Sequence, residues 1–201
     1  QMAKDSMETL RSYYEKTFKF LFILSAPLSI SIFFASRNII VHFFGKEFLQ
    51  ASASLSILAW TIIFLFLASL QNFTLIAIGK QKIGLLSVFV GFLVNLILDI
   101  VLIPEYGYIG ASIATLISYF IFFAVIFYLT RKHIGDISLS KVFLKPGISA
   151  LAMFIFCYSV IKGNDLFLLI IWLCLSIIIY VLLLFFLKVF TKGEIGTIKM
   201  L

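Results

Sequence analysis

Asp99 stands in the run "NLILDIVLIPEYGYIG" (95–110) with three apolar residues on either side of it. A carboxylate in hydrocarbon is costly, so it belongs on a protein-facing surface, in a water-filled cavity or beside a cation. The other side chains able to do chemistry at comparable depth are Arg37, Asn72 and Asn95. Arg37 can meet an anion or snorkel to the membrane edge, and the two amides can both donate and accept hydrogen bonds. Lys80 and Lys82 flank a short polar turn, where they either receive an anionic group at an entrance or only set topology. His42 and His133 lack partners at metal-ligand or triad spacing, and there is no H-E-x-x-H, G-x-S-x-G or P-loop word. Cys157 and Cys174 read as small buried apolar residues and not as a disulfide or a metal pair. Nothing in these residues points to catalysis, a cofactor or a metal.

These residues must be positioned by membrane helices. The chain has 201 residues, 63% of them hydrophobic and 12% charged, against about 25% charged in soluble domains, and its mean hydropathy is +1.17. The apolar runs are far too long for barrel strands, and helices satisfy their own backbone in lipid. The net charge of +7 would suggest nucleic acid in a soluble protein. Here the basic residues sit at the ends of apolar runs, and no basic stripe with interleaved aromatics remains, so nucleic acid is discounted as a partner.

Six spans are predicted: 18–44, 51–79, 83–103, 108–130, 142–161 and 166–190. Pro27 interrupts the first and predicts a kink there. Ahead of it, Met7, Leu10 and Tyr14 share a face and predict an amphipathic lead-in over 1–17, either at the interface or as a solvated linker. The organisation that follows is a lead-in (1–17), a four-helix part (18–130), a loop (131–141), a peripheral two-helix hairpin (142–190) and a tail (191–201). Of the 16 Lys and Arg, only Arg37, Lys46 and Lys162 fall on the second side of this arrangement. The positive-inside rule then makes the lead-in, the loop and the tail cytoplasmic, with both ends of the chain inside the cell membrane. A start at Gln1, without a basic and then apolar leader, predicts no signal peptide and a chain that is a piece of something longer.

On a helix advancing about 100° per residue, Gly84, Ser87, Gly91, Asn95 and Asp99 fall within about 120° of one another. The same spacing gathers Ser54, Thr61, Ala68, Asn72 and Gly79 in the second span, and Gly107, Gly110, Ala114 and Ser118 in the fourth. Ser25, Ser29 and Ser36 line one side of the first. Lipid has no use for such stripes, so they predict helix contacts and a cavity. Spans five and six carry few polar residues and read as a lipid-facing pair, with a groove for a lipid tail as the sharper alternative.

Residues 45–130 contain the words "FGKEFLQASASLSILAW", "NFTLIAIGKQKIG" and "VNLILDIVLIPEYGYIGASIAT". They resemble the C-terminal part of polysaccharide flippases (Wzx-like) of the multidrug/oligosaccharidyl-lipid/polysaccharide exporter superfamily. The match includes Asn95, Leu102, Ile103, Pro104, Gly107, Gly110, Ala111, Ala114 and Thr115; Asp99 departs from it, standing where the family has Asn. The resemblance implies an all-α, two-lobed, MATE-like transporter of which this chain supplies the last six helices, the N-terminal lobe being a missing partner. It further implies alternating-access export of a lipid-linked oligosaccharide on a polyprenyl diphosphate carrier for cell-surface polysaccharide of the lipopolysaccharide O-antigen kind, in contact with membrane lipids. Arg37, Asn72, Asn95 and Asp99 become candidates for the substrate cavity, and Lys80 and Lys82 for its cytoplasmic entrance. Asp99 is then a helix contact replacing the Asn, the partner of a cation, or an ion-coupling group. A MATE-like drug or metabolite antiporter is the rival. A membrane-embedded glycan polymerase or ligase is disfavoured by the short outer loops.

Overall fold

A computed structural model describes residues 2–135, 139–161 and 165–189. No glycine or proline precedes Pro27, and the first helix accordingly starts at once: α1 (Met2–Phe43) has no break near residue 17, so the expected lead-in and the first span are one rod. A 3-10 turn (Lys46–Phe48) leads to α2 (Ala51–Ala59) and α3 (Thr61–Ala77). These two meet at Trp60, whose φ of −71° and ψ of −20° stay near helical values, so together they make one crossing. α5 (Leu139–Val160) and α6 (Leu166–Phe186) complete the described elements. The Asp165 side chain caps α6 by accepting from the Phe167 amide at 2.9 Å. The predicted tail, the loop residues 136–138, and Lys162, Lys192 and Lys199 lie outside the described residues.

α4 (Gln81–Ile134) is 54 residues long. Straight, it would reach about 80 Å at about 1.5 Å per residue, more than twice the bilayer core. It is not straight, because Gly107 has φ 55° and ψ −134°, a backbone region that side chains exclude. Beyond that corner the chain folds back. A Cβ on Gly91 would stand 2.9 Å from Phe122 Cβ, although a straight helix would separate these residues by about 46 Å. Gly110 is pressed against the Leu102 carbonyl, which leaves no room for a side chain there. Among the described residues five helices are long and apolar enough to cross a membrane, and one of them is a hairpin of two arms (81–106 and 108–134). The six expected crossings survive, and the break at Gly107 falls in the gap (104–107) left between the third and fourth expected spans.

α1 is the centre of the bundle, packed by α2, α3, α5 and α6. One core cluster joins Ile23, Ile30, Met153, Cys157, Tyr180 and Leu184, and a second joins Tyr14, Phe18, Leu67, Ile134 and Val142. Pro27 has no N–H for the carbonyl of Ile23, one turn earlier. The buried Tyr180 hydroxyl on α6 donates to that carbonyl instead, at 3.0 Å. Lys19 Nζ donates to the Val189 carbonyl at 2.9 Å, just past the end of α6. The serine stripe of α1 is inward, as its spacing requires: Ser25, Ser29 and Ser36 are all buried, and Ser29 donates to the Ala59 carbonyl at 2.7 Å beside the Trp60 bend. Cys157 is buried, but Cys174 is exposed on the outer face of α6, against the expectation that both are buried. One end of the bundle gathers the start of α1, the ends of α3 and α6, and both free ends of the α4 hairpin. It is the basic end, with Lys16, Lys80, Lys82, Arg131, Lys132 and Lys188.

Candidate functional site

The small-residue stripes meet where α3 packs against both arms of α4. Gly84, Ser87 and Gly91 of the first arm are buried there, as are Gly110, Ala114 and Ser118 of the second and Ala68 of α3. Close approach at the glycines, with bulkier neighbours around them, leaves a cleft of about 390 Å³. Ser69, Asn72, Asn95, Thr115, Ser118 and Tyr119 line it with polar atoms, and Leu65, Val88, Phe92 and Phe122 supply apolar wall. Asn72 Oδ1 lies against Gly84, so any side chain at 84 would displace the amide.

The hydroxyls have a fixed polarity. Ser69 donates to Leu65 O at 2.7 Å, Thr115 to Ala111 O at 2.8 Å and Ser118 to Thr115 O at 2.9 Å. With their hydrogens committed to their own helices, these oxygens present lone pairs outward, while the Asn72 and Asn95 amides bring both donors and acceptors. Asn95 Nδ2 is buried without a hydrogen-bond partner among the described residues. Asp99 Oδ1, one turn further along the same face, is in the same condition. The arrangement suits a guest rich in hydroxyls, with a place for a cation at its Asp99 end.

The structure thus sorts the sequence candidates. Asn72 and Asn95 share the cleft, and Asp99 adjoins it. Lys80 and Lys82 are exposed at the corner between α3 and α4, about 20 Å before Asn95 along the first arm. Arg37 is exposed on α1, a helix that contributes nothing to the lining, so it does not join the two amides. Sequence reasoning passed over Gln71, which is fully buried beside Asn72 and donates from Nε2 to Leu67 O at 3.2 Å. The signal was present: Gln71 is spaced four residues from both Leu67 and Leu75, two core positions of α3.

Six helical crossings, three of which (α3 and the two arms of α4) wall a polar cleft with small residues at their contacts, define a multi-pass membrane protein. A solved structure of a lipid II flippase MurJ in an inward closed conformation superimposes on 90% of the chain with a TM-score of 0.81; at 22% identity this likeness is one of fold. The family described as lipid II flippase MurJ matches residues 1–195, and the chain belongs to that family. Two uncharacterized membrane proteins of Methanocaldococcus jannaschii are 36% identical over 107 residues and 31% identical over 115. The lipid II flippase MurJ of Bacillus subtilis is 26% identical over 129 residues. The chain spans only 21%, 28% and 24% of these three relatives and 40% of the solved structure. The superfamily expected from the motif words therefore stands, with the lipid II branch matched where the polysaccharide branch was expected.

Proposed function

We propose that this chain forms part of the C-terminal lobe of a flippase that moves a glycan on a polyprenyl diphosphate carrier across the cell membrane by alternating access. The observation that carries this reading is the cleft, whose amides and hydroxyls interrupt an otherwise apolar exterior in a chain of the lipid II flippase family. Sugar hydroxyls both donate and accept, as that lining does, while a polyprenyl tail remains in the bilayer. Lipid II, the peptidoglycan precursor that gives the family its name, is our first substrate. The oligosaccharide precursor of a surface polysaccharide is the second, favoured by the motif words of residues 95–115. No basic side chain among the described residues lines the cleft, so the diphosphate is met by Lys80 and Lys82 at the basic end or by an opposing N-terminal lobe. In this reading the basic end faces the cytoplasm, residues 18–130 belong to the transport lobe, and 142–190 form a peripheral hairpin. Asp99, whose Oδ1 is buried without a partner among the described residues one turn from Asn95, holds the coupling cation, a proton or sodium ion.

The test uses the full-length protein in vesicles containing fluorescent lipid II, with a membrane-impermeant quencher outside. A protein-dependent rise in the quenched fraction above the outer-leaflet share supports flipping of lipid II. A rise only with a lipid-linked oligosaccharide selects the second substrate. No rise with either, together with uptake of a cationic dye, replaces the flippase with a drug antiporter.

A further inference from the structure

Three polar atoms on three helices are buried toward the basic end with no hydrogen-bond partner among the described residues: Tyr14 Oη on α1, Gln71 Oε1 on α3 and Thr130 Oγ1 on the second arm of α4. Tyr14 is 3% exposed, and Gln71 and Thr130 are 0% exposed. None of them lines the cleft.

Helix register brings the three to one level. Tyr14, Leu67 and Ile134 belong to one core cluster. Phe18, a turn after Tyr14, meets Phe127 at 5.7 Å. Thr130 falls between Phe127 and Ile134 on the same face of its arm, and therefore faces α1 between Phe18 and Tyr14. Gln71 is one turn beyond Leu67 on α3, with its nitrogen committed to its own helix and its oxygen left for the neighbours.

We propose that a single buried water sits among these groups and bridges α1, α3 and the second arm of α4. The tyrosine hydroxyl donates to the water, which in turn donates to the Gln71 carbonyl oxygen and the Thr130 hydroxyl oxygen. That gives it three bonds, the usual number for an internal water. The surrounding bilayer supplies no other partner. Three neutral oxygens could also suit a metal cation, but the Arg131 guanidinium lies over the Phe127 ring at 5.5 Å and its charge acts on Tyr14. A neutral guest avoids that repulsion.

The sign of a thermal shift decides the matter. Measured on the full chain in nanodiscs, Tyr14→Phe, Gln71→Leu and Thr130→Val should each lower Tm by a few degrees, because each strips one bond from a water that stays trapped. The triple variant should recover much of the sum, because it removes the need for the water. Single variants that are neutral or stabilising, or losses that simply add in the triple, overturn the proposal. A second measurement needs no variant: synchrotron hydroxyl-radical footprinting in oxygen-18 water should label the buried Tyr14 far above buried tyrosine Tyr180. Equal labelling of the two also overturns it.

Discussion

Pro27 and Tyr180 stand 153 residues apart in the chain, yet one completes the other, because the proline leaves the Ile23 carbonyl without its helical donor and the tyrosine supplies one. Tyr180→Phe should therefore destabilise the bundle by about 1–3 kcal/mol, the cost of a buried polar group left unpaired. In a Pro27→Ala background the helix recovers its own donor, and the same substitution should cost less than half as much. A thermal-denaturation double-mutant cycle measures the difference, and additivity would disprove the pairing. Asp99 is a different case, since its buried carboxylate oxygen has no partner among the described residues. Asp99→Asn keeps the shape and a hydrogen-bonding oxygen but removes the charge. In the full-length protein it should reduce ion-driven transport at least tenfold while leaving the cleft intact. Transport that keeps its dependence on pH and sodium would return Asp99 to a plain helix contact. Asn72, Asn95 and Asp99 were legible in the sequence because polar residues in apolar runs need an inner face. Arg37 is not among the residues that line the described cleft, because depth along a helix says nothing of which neighbour that helix faces.

The α4 hairpin is the element that builds the site, since both arms and α3 wall the cleft. Its corner depends on two glycines for separate reasons, Gly107 for its positive φ and Gly110 for its contact with the Leu102 backbone. Gly107→Ala should cost about 1–3 kcal/mol through backbone strain alone. Gly110→Ala has to move backbone, so it should cost more and should also spread the arms. Gly91→Ala meets Phe122 Cβ at 2.9 Å and should perturb the cleft itself with a smaller loss of Tm. Distances between spin labels on the two arms would separate the three variants; unchanged distances in Gly110→Ala would count against the close crossing. The six crossings were visible in the lengths of the apolar runs. The gap expected at 104–107 holds the break, which falls at Gly107 and not at Pro104 because a helix tolerates one missing donor, whereas it cannot pass through the φ of Gly107. The α5–α6 pair was recognised as different from its composition. That it packs chiefly on α1, with Phe154 also meeting Trp60, and stands apart from the cleft follows from Tyr180 and the core around Met153, a tertiary choice that no local pattern states.

At the scale of the whole molecule the charge asymmetry and the cleft make one claim. The basic end carries Lys80 and Lys82 at the corner below the cleft, and the opposite end carries Lys46 in its short turn. If basic loops stay on the cytoplasmic side, a lipid-linked anion entering from that side meets the two lysines before the neutral cleft, and its sugars find the amides about 20 Å further on. The orientation can be checked in intact cells after the exposed Cys174 is replaced by serine; Cys157 is buried and contributes little background. Lys46→Cys should react with a membrane-impermeant maleimide added outside, and Lys82→Cys should react only after permeabilisation. The reverse pattern would turn the lobe over and leave Lys80 and Lys82 at an exit. Both outcomes are informative about the diphosphate: with the expected orientation, replacing Lys80 and Lys82 together by glutamine should weaken uptake of the lipid-linked substrate about tenfold. With the reversed one, the same change should slow its release instead.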